Sequence, residues 1–466
     1  MKRQLVLLAA ATGIAVLLTA HSNRISKQPA TTHTWAVEEK NDSLNIRFSS
    51  TNAHYNYLAN EGVLYLYTEF KAPLFRGADS TQRTPLNLSL VIDRSGSMDG
   101  AKLEYAKKAA MFVVDHVTPD DYLSIVIYDS EVKTLFPSQR VTNKVTLKNL
   151  IQQLRSGSST NLSGGMLEGY NQVQATYKSG YVNRVLLMSD GLANEGITDN
   201  LSLFNIVRGK LREQGISIST FGVGLDYNED LMQGLAENGN GNYYFIANPE
   251  EIPGIFKKEL NGLLYLYAQN TSIHISLPEG VKFSRLYGLT AERADDREVV
   301  INLRDVFSEE TKACVLKLTY TAALQAPLNF SAKFNWNNMS RNAENTTAQK
   351  SITLTQKTDT AELAKTENEQ VWQQVYLFES NDLLQQTIQA VDKRKFDEAQ
   401  KIAVQNEAYF NKAKQKVRFN FELAKQDSIN VNYSKSIEKS KTMQDSELKY
   451  YQKMNKSGNY NIKSKK

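Results

Sequence analysis

The stretch Leu86-Asn-Leu-Ser-Leu-Val-Ile-Asp-Arg-Ser-Gly-Ser-Met98 decides how this chain is read. Its first seven residues are a short, largely apolar run, the pattern of a strand buried on both faces. The run then breaks into Asp93-Arg-Ser95-Gly-Ser97. Gly96 gives that turn conformational latitude, so a single turn can place one carboxylate and two hydroxyls around one point. Helical spacing follows over about 101–115.

Reading outward, the same alternation repeats. Apolar runs at 123–128, 184–189, 216–223 and 242–246 read as strands. Segments near 143–154, 162–177, 201–214, 229–237 and 249–266 read as helices. Strands that alternate with helices predict an α/β domain with a doubly wound, mainly parallel sheet. Such sheets bind ligands beyond the C-terminal strand ends, at a topological switch point. Two further polar pieces fall where that rule puts a site. Gly157-Ser-Ser-Thr160-Asn-Leu-Ser-Gly-Gly opens the helix at 162, and Ser189-Asp190-Gly191 follows the strand 184–189.

The candidate ligands are Asp93, Ser95, Ser97, Thr160 and Asp190. All five offer oxygen, with no imidazole or thiol among them. Such a set favours Mg²⁺, Mn²⁺ or Ca²⁺ over zinc or copper. Two carboxylates ~5 Å apart repel by about 3 kcal/mol at an effective dielectric near 20, and a divalent ion offsets that repulsion. Neutral hydroxyls leave the ion electron-poor, so an open coordination position attracts a carboxylate from a partner. Asn161 and Ser163 read as caps of the following helix, and Asp99 and Asp129 as solvated loop acids.

These residues resemble the metal-ion-dependent adhesion site of the von Willebrand factor type A domain family, over roughly residues 85–263. The wider layout is similar to bacterial proteins related to inter-alpha-trypsin inhibitor heavy chains, in which β-sandwich segments flank such a domain. The resemblance implies that Ser95 and Ser97 coordinate the metal directly. It implies that Thr160, Asp93 and Asp190 do so directly or through water. It also implies that a Glu or Asp of a protein partner completes the coordination. Ser158-Ser159 stands where many members have glycines.

The flanks divide by texture. Residues 45–85 and 269–357 alternate with period two and predict a β-sandwich with the α/β domain, 86–268, inserted in it. Residues 358–450 predict a helical hairpin, with Trp372, Tyr376 and Phe378 as packing between its helices. Residues 451–466 read as a disordered basic tail, and 21–44 as a linker. Residues 1–20 join a short basic start to 16 uncharged, mostly apolar residues, the form of a signal peptide or an N-terminal membrane anchor.

Composition removes other classes. One cysteine, Cys314, excludes an intrachain disulfide framework and a cysteine-ligated zinc cluster. The histidines His21, His33, His54, His116 and His274 are scattered and suggest no Ser-His-Asp set. The net charge of +5 sits at the ends. Residues 431–466 carry +6 and residues 1–28 carry +4, which leaves −5 over 29–430. An acidic body argues against a nucleic-acid partner. The sequence therefore leads us to expect an exported, non-enzymatic protein of the periplasm or cell surface. It would bind a protein ligand presenting Asp or Glu, with membrane association through the N-terminus. A scaffold whose metal only stabilises the loops is the alternative. A metal-dependent hydrolase ranks below both, because the motif loops hold no general base besides ligand carboxylates.

Overall fold

Two segments far apart in sequence build one sandwich, and the α/β domain is threaded between them. This computed structural model describes residues 36–40, 44–56, 61–74, 83–190, 193–321, 327–339 and 344–463. The signal or anchor expected at 1–20 lies outside them.

The first segment supplies strands β1 (Ala36–Lys40), β2 (Asn45–Ser50), β3 (His54–Asn56) and β4 (Glu61–Lys71). The expected linker 21–44 is thus corrected at its end, because β1 pairs antiparallel with β2 from Ala36↔Ser49 to Lys40↔Asn45. The inserted domain follows as β5 (Leu86–Asp93), α1 (Ala101–His116), β6 (Tyr122–Tyr128), β7 (Val132–Arg140), α2 (Lys144–Gln152) and α3 (Leu162–Ala175). It continues as β8 (Val182–Ser189), α4 (Asn200–Gln214), β9 (Ser217–Val223), α5 (Glu229–Asn238), β10 (Tyr243–Ile246) and α6 (Ile252–Leu263). The second sandwich segment holds β11 (Leu266–Ser276), β12 (Val281–Tyr287), β13 (Ala291–Ala294), β14 (Glu298–Phe307), β15 (Thr311–Thr321), β16 (Leu328–Asn338) and β17 (Glu344–Lys357).

The inserted sheet runs β10-β9-β8-β5-β6-β7. Its first five strands are parallel, and β7 closes the edge antiparallel to β6. The sequence reading missed β7. It carries Pro137 and mostly half-exposed side chains, which an edge strand tolerates and a buried-strand pattern does not register. Every residue of β5 and β8 is buried. From β5 the chain moves first to β6 on one side and later to β8 on the other, so the switch point lies at the C-terminal ends of β5 and β8. Helix α3 lies flush on the sheet because of glycine. A Cβ on Gly169 would come 2.4 Å from Val91 Cγ2.

The sandwich has one sheet of order β1-β2-β4-β15-β12 and one of order β13-β14-β11-β16-β17-β3. Strand β4 pairs with β15 along its whole length, Glu61↔Thr321 to Lys71↔Thr311. The early and late segments therefore share one core, which includes Phe48, Leu66, Ile273, Leu316 and Phe334. Cys314 lies buried in it as a small apolar residue, and burial pushes its thiol up.

The C-terminal part departs from the expected hairpin and disordered tail. It contains α7 (Thr360–Lys365), α8 (Glu369–Asp392), α9 (Phe396–Lys416), α10 (Phe421–Ser440) and α11 (Asp445–Lys463). The aromatic stripe of α8 divides. Phe378 packs with Val371 and Val375 on Tyr65, Tyr287 and Val315 of the five-stranded sheet, and Tyr376 packs with Phe410 and Leu423. The residues 451–463 are helical rather than disordered. The buried face of α11 includes Gln452, Lys453, Asn459 and Tyr460, which apolar periodicity does not register as a core face.

Candidate metal centre

Strand β5 ends on Asp93, and the chain turns sharply to keep that carboxylate inside. Asp93 is fully buried. Its Oδ1 accepts from the Ser95 backbone N–H at 2.8 Å, and its Oδ2 accepts from Ser189 Oγ at 2.8 Å. Gly96 opens the short 3-10 turn Gly96–Met98, which sends Ser97 back toward the same point. Ser95 Oγ lies 3.2 Å from Ser97 Oγ. Ser97 Oγ donates to Asp190 Oδ1 at 2.7 Å. Asp93, Ser95, Ser97 and Asp190 thus form one linked cluster at the switch point.

The Thr160 loop is tied to that turn through backbone. Gly96 N donates to Ser158 O at 2.8 Å, and Gly157 N donates to Arg94 O at 2.6 Å. Thr160 itself is buried. Its N–H donates to Asn194 Oδ1 at 2.9 Å, and its carbonyl accepts from Asn194 N at 3.2 Å. Asn161 caps α3 as expected, accepting from Gly164 N at 2.9 Å. Ser163 instead donates to Asn161 Oδ1 and accepts from Ile197 N, which ties the loop after β8 to α3.

Of the two loop acids, Asp99 is exposed and accepts from Ser156 Oγ at 2.8 Å. Asp129 is not solvated as expected. It is buried, pairs with Arg94 at 2.8 Å, and leaves no room for a side chain at Gly157. This pair keeps a third acidic charge out of the cluster.

Sequence reasoning missed Lys102. Its Nζ meets Asp190 Oδ2 at 2.5 Å and Ser97 O at 3.2 Å. The available signal was a lysine five residues after Ser97, in the first turn of α1, which reads as a solvated helix residue.

The residues fit a divalent cation. Asp93 and Asp190 are both wholly buried, and one ammonium, that of Lys102, pairs with Asp190. Burial pushes the Asp93 carboxyl up to about 6, Asp190 adds to that, and the hydrogen bonds from Ser95 and Ser189 pull it back. Among the described residues no three His, Cys, Asp or Glu side chains gather at a point. A cation here would take oxygen from hydroxyls as well as carboxylates, a donor set that suits Mg²⁺ and Mn²⁺. Asp93, Ser95, Ser97, Thr160 and Asp190 are the side chains that would hold it. Once bound, it supplies a Lewis-acidic point at the protein edge.

Comparison with known proteins agrees with this fold. Residues 87–258 match the von Willebrand factor type A domain. The uncharacterized protein YfbK of Escherichia coli is 34% identical over 191 residues, 41% of this chain and 33% of that protein. Inter-alpha-trypsin inhibitor heavy chain H1 of Bos taurus is 26% identical over 190 residues, 38% of this chain and 21% of that protein. The likeness thus spans a third or less of the length of these curated relatives. A von Willebrand factor type A protein from Catenulispora acidiphila shares the fold, with a TM-score of 0.64 at 12% identity over 81% of this chain and 89% of that one. Residues 87–258, which build the sheet and its polar edge, thus carry a von Willebrand factor type A domain.

Proposed function

We propose that this protein is an exported, non-enzymatic cell-envelope protein. It binds a protein partner through a divalent cation, Mg²⁺ or Mn²⁺, that bridges to an Asp or Glu of the partner. One observation carries the reading. Asp93, Ser95, Ser97 and Asp190 converge by hydrogen bonds at the switch point, with the Thr160 loop tied to the same turn. Ser97 is exposed there, so the cluster opens to the outside rather than into a cleft. Export rests on the form of residues 1–20. Among the described residues no helix is long and apolar enough to cross a membrane.

The test combines metal binding and capture. Mn²⁺ titration by calorimetry should show saturable binding to the wild-type protein and none to Asp93→Ala. Capture from envelope extract should yield a partner in Mg²⁺, and not in EDTA or with Asp93→Ala. An identical catch in all three conditions would move function to the sandwich or the helices, the scaffold reading.

A further inference from the structure

The carboxylate of Asp190 answers to two donors, one on each oxygen. Ser97 Oγ takes Oδ1 at 2.7 Å, and Lys102 Nζ takes Oδ2 at 2.5 Å. Lys102 also reaches the carbonyl of Ser97 at 3.2 Å. The ammonium therefore touches two of the residues that form the cluster, from the first turn of α1. Asp190 is fully buried, whereas the Lys102 side chain keeps 27% of its exposure. A buried carboxylate needs a paired cation. Lysine on its four-carbon stem is a mobile one. The space beside it is bounded by Gly224, in the loop after β9. A Cβ there would lie 3.5 Å from Lys102 Nζ.

From this geometry we infer that Lys102 is a built-in competitor of the divalent cation and sets the metal concentration at which the domain loads. The inference rests on the metal reading of the cluster. Without a divalent ion, two buried carboxylates face each other across the switch point. Lys102 neutralises one of them and keeps the loops assembled. Asp129 cannot serve as a further negative charge for the metal, because Arg94 holds it. Nor does another lysine or arginine ion-pair with Asp93 or Asp190 among the described residues. When a divalent ion enters, two positive charges contend for Asp190. Lys102 then either swings to solvent or stays and repels the ion, and both reduce affinity. If it stays, the loaded cluster carries one net positive charge in place of none. The polar edge is then an acceptor for an anionic group, and its acceptor strength depends on a residue that binds no metal. Lys102 is thus a positioning residue for Asp190 and a ceiling on metal affinity.

The experiment compares wild type with Lys102→Met, Lys102→Arg and Asp93→Ala in the full chain. Each is titrated with Mn²⁺ by calorimetry and melted in EDTA and in Mn²⁺. The inference expects Lys102→Met to bind Mn²⁺ about tenfold tighter or more. It also expects that variant to melt lower in EDTA, with the deficit removed by Mn²⁺. Lys102→Arg retains the charge and should restore both values toward wild type. Mn²⁺ binding by Lys102→Met equal to or weaker than wild type, with Asp93→Ala silent, would overturn the role of Lys102 and leave the metal site standing. No binding by wild type and Lys102→Met alike would overturn the metal reading, and this inference with it. A lower EDTA melting point alone would be expected of any structural lysine, so the affinity decides.

Discussion

Lys453 of the last helix sits with its ammonium 3.7 Å from the centre of the Tyr227 ring and donates to the Tyr227 carbonyl at 3.1 Å. Around it, Lys456 pairs with Asp392 at 2.7 Å and Asp230 at 3.2 Å, and the Tyr460 ring meets Tyr243 edge-on at 5.7 Å. Helix α11 thereby fastens the helical region to the loop that precedes α5.

This docking has a pH signature. Burial lowers the Lys453 ammonium to about 8, only partly offset by Glu229. Its folded value lies below its unfolded one, so between about 8 and 10.5 the unfolded chain binds more protons. Stability from this group is therefore gained as pH rises through that window and lost as pH falls. The expected gain from pH 8 to 9.5 is about 1–2 kcal/mol. Denaturant melts of wild type and Lys453→Met at both values check it. The difference between the two proteins removes the opposing slope from the buried Cys314. Parallel pH profiles would contradict a charged Lys453 at the interface.

Ser97 is an exposed residue whose hydroxyl donates to Asp190 and lies 3.2 Å from Ser95 Oγ, and it adds no core packing. Ser97→Ala should weaken Mn²⁺ binding about tenfold while leaving the thermal midpoint within about 2 °C of wild type. Calorimetry and a melting curve separate the two effects. A collapse of the midpoint would show that the turn, not the metal, depends on this residue.

Arg184 is among the largest fully buried side chains of the described residues. It donates to Ser217 Oγ at 2.9 Å and pairs with Glu259 of α6 at 3.1 Å. Burial pushes the Glu259 carboxyl up, but Arg184 with Asn242, Ser219 and Tyr244 pulls it below its ordinary value. Arg184→Met strands a buried carboxylate and should cost about 3–5 kcal/mol. Adding Glu259→Gln to it should recover at least about 1 kcal/mol, because the Glu259 carboxylate is no longer stranded, although Asp305, 3.7 Å from Arg184, still loses that partner. Urea unfolding of the four proteins of this cycle checks the coupling.

Gly169 sets the distance of α3 from the sheet. Its absent Cβ would lie 2.4 Å from Val91 Cγ2 and 3.2 Å from Val185 Cγ1. Gly169→Ala should therefore lose about 1–3 kcal/mol despite the helix propensity of alanine. A stabilised variant in the same unfolding assay would show that α3 can lift without cost.

The candidate ligands stood out in the sequence because each is a residue type that a cation needs, placed just after a buried strand or just before a helix. Asp93, Ser95 and Ser97 share one turn, so local spacing alone brings them together. Asp190 follows β8, and only the parallel pairing of β5 with β8 carries it to them. Lys102 stayed hidden because a lysine in a first helical turn normally points to water. Asp129 was misread for the same reason. Its partner Arg94 lies 35 positions earlier, and no periodicity marks that pairing. The last helix was missed because its docked face is written in Gln452, Lys453 and Asn459 rather than in leucines.

The insertion of the α/β domain has a mechanical consequence. One connection leaves β4, which is hydrogen-bonded to β2 and β15, and the other enters β11, which is hydrogen-bonded to β14 and β16. Between α6 and β11 only Leu264 and Tyr265 intervene. A pull on a partner held at the polar edge therefore divides between two interior strands, one in each sheet. Strand β4 is paired with β15 throughout and with β2 over Leu66–Lys71, and β11 is paired with both neighbours over most of its length, so rupture requires many hydrogen bonds to shear together rather than to unzip singly from an end. The sandwich serves as a two-point mount for whatever the upper domain holds.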